Sequence, residues 1–321
     1  MSISVIIATH NRCNLLDDCL THLARQAFIP GDEIVVVNNG SIDGTPAVVA
    51  RHARGSAVPL VYVEEPVPGK SYAVAAAVRV AKGDVLAFTD DDVNVAPTWL
   101  DSIRRAMADQ LTALVGGPVE PRWERRPPAW LRLPAENCGR LTAPLALLNY
   151  GVDTIDLGPR TVLGANLAVR RDVFVRVGGF APHLGKLRGT LLGGEDHELC
   201  RRVQDAGLRA VYRPDVRVRH WVPVDRMRVG YYLSWYFWSG ITNAAMDAEQ
   251  PPRGRTVLGV PLYLFRRGAS AGIGAIAAAV AGNLTGAIER AIDVAFAAGY
   301  AAWRWRLVMA RPMTPPAKGA L

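Results

Sequence analysis

Short apolar runs at residues 3–8, 33–37, 60–63 and 85–88 alternate with segments of helical period at 14–26, 45–54 and 71–81. That alternation constrains the fold more than any other feature of the chain. Runs this short and this apolar, punctuated by Gly, Pro, Asn and Asp, read as strands buried on both faces. Strands of that kind joined through helices build a mainly parallel sheet covered by helices, an α/β architecture. A further helix is expected at 97–108, with Pro97 in its first turn, and a strand at 113–119. Helices at 171–177 and 195–206 and a strand at 209–212 continue the pattern. Between them, Pro121, Pro127, Pro128 and Pro134 sit among Arg122, Trp123, Arg125, Arg126 and Trp130. Residues 121–160 therefore read as a long surface excursion, and such loops are often functional.

The run at 85–88 continues through Thr89 into three consecutive carboxylates, Asp90, Asp91 and Asp92. In a parallel sheet the carboxyl ends of the strands share one edge, where open α/β sheets bind ligands. Two other polar strand ends belong to that edge: Thr9-His10-Asn11-Arg12 and Asn38-Asn39-Gly40-Ser41-Ile42-Asp43. Adjacent carboxylates repel one another and lose hydration unless a cation compensates. A divalent cation such as Mg²⁺, which takes one or two carboxylates plus substrate phosphates, is one answer; a solvated acidic turn is the other. The asparagines equally suit a turn, and Ser41 or Asp43 a helix cap. A second acidic cluster, Gly193-Gly194-Glu195-Asp196-His197, opens the helix at 195–206. The helix dipole favours acids there, and a carboxylate there can also take a proton from a hydroxyl. His220, after a strand-like run, is either structural or a metal ligand.

The four cysteines, Cys13, Cys19, Cys138 and Cys200, form no C-x-x-C pair. A disulfide framework or zinc site is not expected, and a reducing, cytoplasmic compartment is. The N-terminus begins directly on a strand, without a basic region or cleavage site, so no signal peptide is expected. Charge is uneven: residues 201–321 carry 17 Lys+Arg against 7 Asp+Glu, and residues 1–200 carry 20 against 22. The basic part holds Tyr231, Tyr232, Trp235, Tyr236, Phe237 and Trp238, then Arg266-Arg267, an Ala/Gly-rich stretch at 269–288, and Trp303-Arg304-Trp305-Arg306. Asn283, Thr285, Glu289, Arg290 and Asp293 interrupt or follow that stretch, which argues against a spanning helix. Helices lying on an anionic membrane, or packed on the rest of the chain, fit it better. A peripheral membrane contact is expected through residues 226–310, at the inner face of the cell membrane. No recognisable nucleic-acid-binding module accompanies the basic charge, so nucleic acid is not an expected partner.

An ordered set of short motifs then resembles one family. Residues 4–12 read S-V-I-I-A-T-H-N-R, residues 36–45 V-V-N-N-G-S-I-D-G-T, residues 69–73 G-K-S-Y-A and residues 89–92 T-D-D-D. G-A-N-L-A-V-R-R at 164–171, V-G-G-F at 177–180, G-G-E-D-H-E-L at 193–199 and V-Y-R-P-D-V-R-V-R-H at 211–220 continue the series. Order and spacing resemble the family 2 glycosyltransferases of GT-A fold over roughly residues 2–225. The resemblance implies a catalytic domain at 1–225, with a nucleotide-binding half at 1–120 and an acceptor half at 121–225. A basic, aromatic helical extension at 226–321 would follow. It implies inverting transfer from a nucleotide-diphospho-sugar to a glycan or lipid-linked acceptor. Asp90 and Asp92 match the family's D-x-D pair, and with His220 they would hold Mg²⁺ or Mn²⁺. Asp196 matches the catalytic base, beside Glu195. Thr9, Asn11, Arg12, Asn38, Asn39, Ser41, Lys70 and Asp91 would line the donor site, and Gly164 and Asn166 would lie near the transferred sugar. Asn38 stands where the family often has Asp. A non-catalytic nucleotide-sugar-binding or scaffold protein, or a nucleotidyltransferase of similar architecture, is the alternative.

Overall fold

A computed structural model describes residues 1–131, 133, 139–180, 194–249 and 255–309. Pro134, Cys138 and Gly193 lie outside the described residues. The chain opens with β1 (Ile3–Thr9), α1 (Cys13–Leu23), β2 (Glu33–Asn38), α2 (Thr45–Gly55), β3 (Leu60–Glu64), α3 (Lys70–Val80) and β4 (Val85–Asp90). The alternation expected of this half is present. Val5, Val35, Val36, Val37, Val85, Leu86 and Ala87 are all fully buried. Strands covered on both faces bury successive residues alike, which is why β1, β2 and β4 show no polar alternation.

β5 (Val93–Val95), α4 (Trp99–Met107), β6 (Thr112–Gly116) and β7 (Val119–Trp123) follow. Next come β8 (Ile155–Asp156), β9 (Asn166–Arg170), α5 (Arg171–Arg176), α6 (Glu195–Asp205), β10 (Arg209–Tyr212) and β11 (Val218–Val222). The described chain ends with α7 (Val229–Glu249), β12 (Thr256–Val257), β13 (Val260–Pro261), α8 (Leu262–Val280) and α9 (Leu284–Met309). Eight strands form one sheet in the order β3-β2-β1-β4-β9-β6-β10-β8, and β5-β11-β7 form a second. β3, β2, β1 and β4 run parallel, whereas β9 is antiparallel to both β4 and β6. Register sets Thr9 beside Asn38 and Ala8 beside Asp90. The polar ends of β1, β2 and β4 therefore meet at one edge.

Two expectations are corrected. The single strand expected over 113–119 is two strands in different sheets, because β6 stops at Gly116 and β7 starts at Val119. Gly117 makes the change possible: a Cβ there would lie 1.9 Å from the Val216 carbonyl oxygen, so the backbones meet where no side chain fits. Helix α4 starts at Trp99, and Pro97 precedes it. The Trp99 amide donates to the Ala96 carbonyl at 3.0 Å, so Pro97 leads a β-turn, a position its fixed φ suits.

The described chain divides into two compact units, Met1–Pro127 with Leu133–Val224, and Pro128–Arg132 with Asp225–Leu321. The first unit holds the eight-stranded and three-stranded sheets. In the second, α7, α8 and α9 surround a core of Ala244, Val260, Leu264, Tyr300 and Ala301. Gly240 and Gly299 bring the α7 and α9 backbones together: a Cβ at Gly299 would lie 1.9 Å from the Phe237 carbonyl oxygen. Among the described residues, no helix is long and apolar enough to cross a membrane.

Candidate functional site

The loops after β1 and β2 are tied to each other. Asn11 holds a left-handed backbone, φ +51°, a conformation asparagine tolerates. Its carbonyl oxygen Oδ1 accepts from the Ile42 amide at 2.8 Å, and its own amide donates to Ser41 Oγ at 3.0 Å. Asn38 Oδ1 accepts from the Ser41 amide at 2.8 Å, while Asn38 Nδ2 donates to the Tyr62 hydroxyl at 2.8 Å. Asn39 Nδ2 donates to the carbonyls of Glu65 and Val67 at 2.8 and 2.7 Å, and its Oδ1 accepts from the Gly69 amide at 2.9 Å. Asn39 thereby fixes the start of α3, whose first residue is Lys70. Asp43 accepts from the Cys13 amide at 2.9 Å and from the Thr45 amide at 3.1 Å, so it serves the turn and the start of α2.

The triplet is compensated by the protein's own cations. Lys70 pairs with Asp90. Arg12 Nη1 lies 3.1 Å from Asp91 Oδ1 and 3.0 Å from Asp92 Oδ2, bridging the two. The Thr9 hydroxyl donates to Asp91 Oδ2 at 2.8 Å. His220 Nε2 is 3.4 Å from Asp92 Oδ1. Asp91 and Asp92 are each only 4% exposed, so the solvated acidic turn is excluded. Burial and the neighbouring Asp92 push the Asp91 carboxyl up to about 6, against the pull of Arg12 and Thr9. Among the described residues, no group of three or more His, Cys, Asp or Glu side chains is arranged to hold a metal ion.

The second acidic cluster lies at the start of α6. Gly194 reaches the helix with φ +121°, which only glycine adopts readily. Asp196 Oδ2 accepts from the Gly164 amide at 2.8 Å, and its Oδ1 accepts from the amide and Nδ1 of His197, both at 2.9 Å. Burial alone would raise the Asp196 pKa, but the charge and hydrogen bond of His197 and the Gly164 amide hold it well below the usual carboxylate range. Asp196 in turn raises the His197 pKa. Burial alone would lower the pKa of Lys70, yet Asp90, Glu195 and Asp196 carry it above the ordinary lysine value. Glu195 accepts from the Gly194 amide at 3.1 Å. It lines a cavity of about 10 Å³ with Lys70, Thr89 and Gly164, room for about one water.

Asn166 is engaged with the protein's own backbone. Its side chain is fully buried. Its Oδ1 accepts from Trp99 Nε1 at 2.9 Å, and its Nδ2 donates to the carbonyls of Pro118 and Val216 at 3.1 and 2.7 Å. It holds together the segments that lead into β7 and β11. Gly164, two residues earlier, stays beside Asp196: a Cβ there would lie 3.5 Å from Asp196 Cβ. Sequence reasoning missed two participants. His197 was legible only as the neighbour of Asp196, and Tyr62, which meets Asn38, carried no local signal at all.

Comparison with known proteins agrees with this geometry. A family model described as glycosyl transferase family 2 matches residues 4–178. The chain is 25% identical over 255 residues to a glucosyl-dolichyl phosphate glucuronosyltransferase of Haloferax volcanii, covering 78% of this chain and 79% of that one. It is 27% identical over 218 residues to the succinoglycan biosynthesis protein ExoM of Rhizobium meliloti, covering 68% and 65%. Among solved structures, the mannosyltransferase PcManGT of Pyrobaculum calidifontis, in complex with GDP-Man and Mn²⁺, superposes with a TM-score of 0.63 at 22% identity, over 94% of this chain and 87% of that one. The fold is therefore that of the GT-A glycosyltransferases. With more than half of its length matched, the chain belongs to glycosyl transferase family 2.

Proposed function

We propose that the protein transfers a sugar from a nucleotide-diphospho-sugar to an acceptor hydroxyl with inversion, in polysaccharide or lipid-linked glycan synthesis. The placement of Lys70 carries this reading. It pairs Asp90 at the end of β4 and lines one small cavity with Gly164 and with Glu195 at the start of α6. The carboxyl end of β4 and the start of α6 thus meet at that cavity. Residues 1–120 would bind the nucleotide, with Thr9, Asn11, Asn38, Asn39 and Ser41 shaping its loops, and residues 121–225 would bind the acceptor.

Asp90 and Asp92, with His220 beside Asp92, would hold Mg²⁺ or Mn²⁺ once a bound donor diphosphate draws them around one point, since they are not so arranged without it. Two carboxylates and an imidazole leave positions for water and phosphate oxygens, the usual company of a hard divalent ion. Bound there, the ion would supply charge neutralisation of the diphosphate leaving group. Arg12 offers a guanidinium to the same phosphates. Asp196 takes the acceptor proton as the acceptor oxygen bonds to the anomeric carbon. The bond from that carbon to the diphosphate oxygen breaks on the opposite face, so one displacement inverts the centre. The solved mannosyltransferase that shares the fold holds GDP-Man and Mn²⁺, which supports a donor and a metal of these classes.

The test is a pair of variants. Asp196→Asn and Asp92→Ala each lower transfer by at least about 100-fold, the scale of a lost acid–base group. Only Asp92→Ala weakens the Mn²⁺-dependent rise in melting temperature caused by nucleoside diphosphate. Turnover retained in purified Asp196→Asn would remove the base assignment. A product whose anomeric proton keeps the donor configuration by NMR would remove inversion.

A further inference from the structure

Helix α8 is packed inside out for a helix surrounded by water. Its small residues face α9: a Cβ at Gly268 would lie 3.3 Å from Ala297 Cβ, and one at Gly272 would lie 3.9 Å from Val294 Cγ2. Leu264 and Ala271 are buried on the same side. Beyond Leu264, the large aliphatic residues of its second half point the other way. Ile273, Ile276 and Val280 are 72%, 68% and 85% exposed. Spacings of three and four residues place Ile273, Ile276 and Val280 on one stripe of α8. Ala269 and Ala277 lie on that stripe, and exposed Arg266 stands seven residues before Ile273. Single exposed apolar residues are ordinary, but a contiguous stripe marks a contact surface.

We propose that this stripe of α8 docks on an anionic lipid surface, lying along it rather than crossing it. Three observations favour lipid over protein. The centre of the stripe is Ile, Val and Ala, whereas protein interfaces are enriched in aromatic residues, Met and Arg and depleted in Ala. The stripe ends in exposed Arg266, with exposed Tyr263 near that end, the amphipathic arrangement of a helix at the headgroup boundary. Residues 225–321 hold 11 Lys+Arg against 5 Asp+Glu, the sign that an anionic leaflet attracts. None of these rests on the sugar-transfer chemistry, because every residue concerned lies in the second unit.

The experiment is co-sedimentation of the full chain with vesicles of phosphatidylcholine alone and of phosphatidylcholine mixed with phosphatidylglycerol. Wild type binds the mixed vesicles, and binds them less at high salt. The triple variant Ile273→Ser, Ile276→Ser, Val280→Ser loses at least about tenfold in partition, from the apolar area it removes. Arg266→Gln weakens binding at low salt only. The triple variant keeps the melting temperature and its shift with nucleoside diphosphate, which separates loss of docking from loss of fold or donor site. Wild type that fails to bind mixed vesicles overturns the proposal, as does a triple variant that binds like wild type. A wild-type dimer that becomes monomeric in the triple variant, with no vesicle binding by either, assigns the stripe to a second copy and also overturns it.

Discussion

At the residue scale, the acidic triplet is governed by charge balance. Arg12 is the one side chain seen to bridge Asp91 and Asp92. Replacing it by Gln leaves two buried carboxylates short of a cation. Because Arg12 is itself half exposed, the expected loss is about 1–3 kcal/mol of unfolding free energy, read by urea denaturation. Added Mn²⁺ should raise the melting temperature of Arg12→Gln more than that of wild type, since an ion held by Asp92, which Arg12 otherwise pairs, restores part of the lost charge. His197 governs the other acid. Its cation holds the Asp196 pKa down, so Asp196 stays ionised as pH falls through the ordinary carboxylate range. In His197→Gln that support is gone and the Asp196 pKa rises. The acid limb of the kcat/KM profile should then move to higher pH, with the plateau reached only above it. An unmoved limb would show that His197 does not act on the base.

At the element scale, the change of sheet between β6 and β7 aims β7 alongside β11, the strand that carries His220. Gly117→Ala would drive a Cβ into the Val216 and Arg213 carbonyls. Overpacking against backbone should cost about 2–3 kcal/mol. Gly139→Ala, with open space around it, is the control and should change stability by less than about 0.5 kcal/mol. The same switch shows why the sequence misled at this point. Val115 and Val119 share one apolar run, and no local pattern reveals that Gly117 touches a carbonyl almost a hundred residues later. Strand β9 was missed for a related reason. Its residues 166–170 lie antiparallel between β4 and β6, an insertion that breaks the strand–helix alternation used to find the others. The burial of Asn166 was hidden with it, because a buried amide and an exposed one look alike in sequence.

At the scale of the whole molecule, the uneven charge of the chain corresponds to something physical. The second compact unit, Pro128–Arg132 with Asp225–Leu321, carries a basic excess together with the outward stripe of α8. A pattern of Ala, Gly, Ile and Val every few residues is equally compatible with a buried helix. Only packing shows that α8 spends its glycines on α9 and leaves its isoleucines outside, and that inversion is what the vesicle experiment tests.

The sequence by itself determined the parallel half of the sheet, the edge where Thr9, Asn38 and Asp90 meet, and the family. Those features are written in local apolar runs and contiguous motifs, which need no knowledge of distant partners. Only tertiary contacts set how the charges of the triplet are balanced: Arg12 on Asp91 and Asp92, Lys70 on Asp90. Each joins residues tens of positions apart, and the sign and strength of such contacts depend on distance and burial, which the order of residues does not contain.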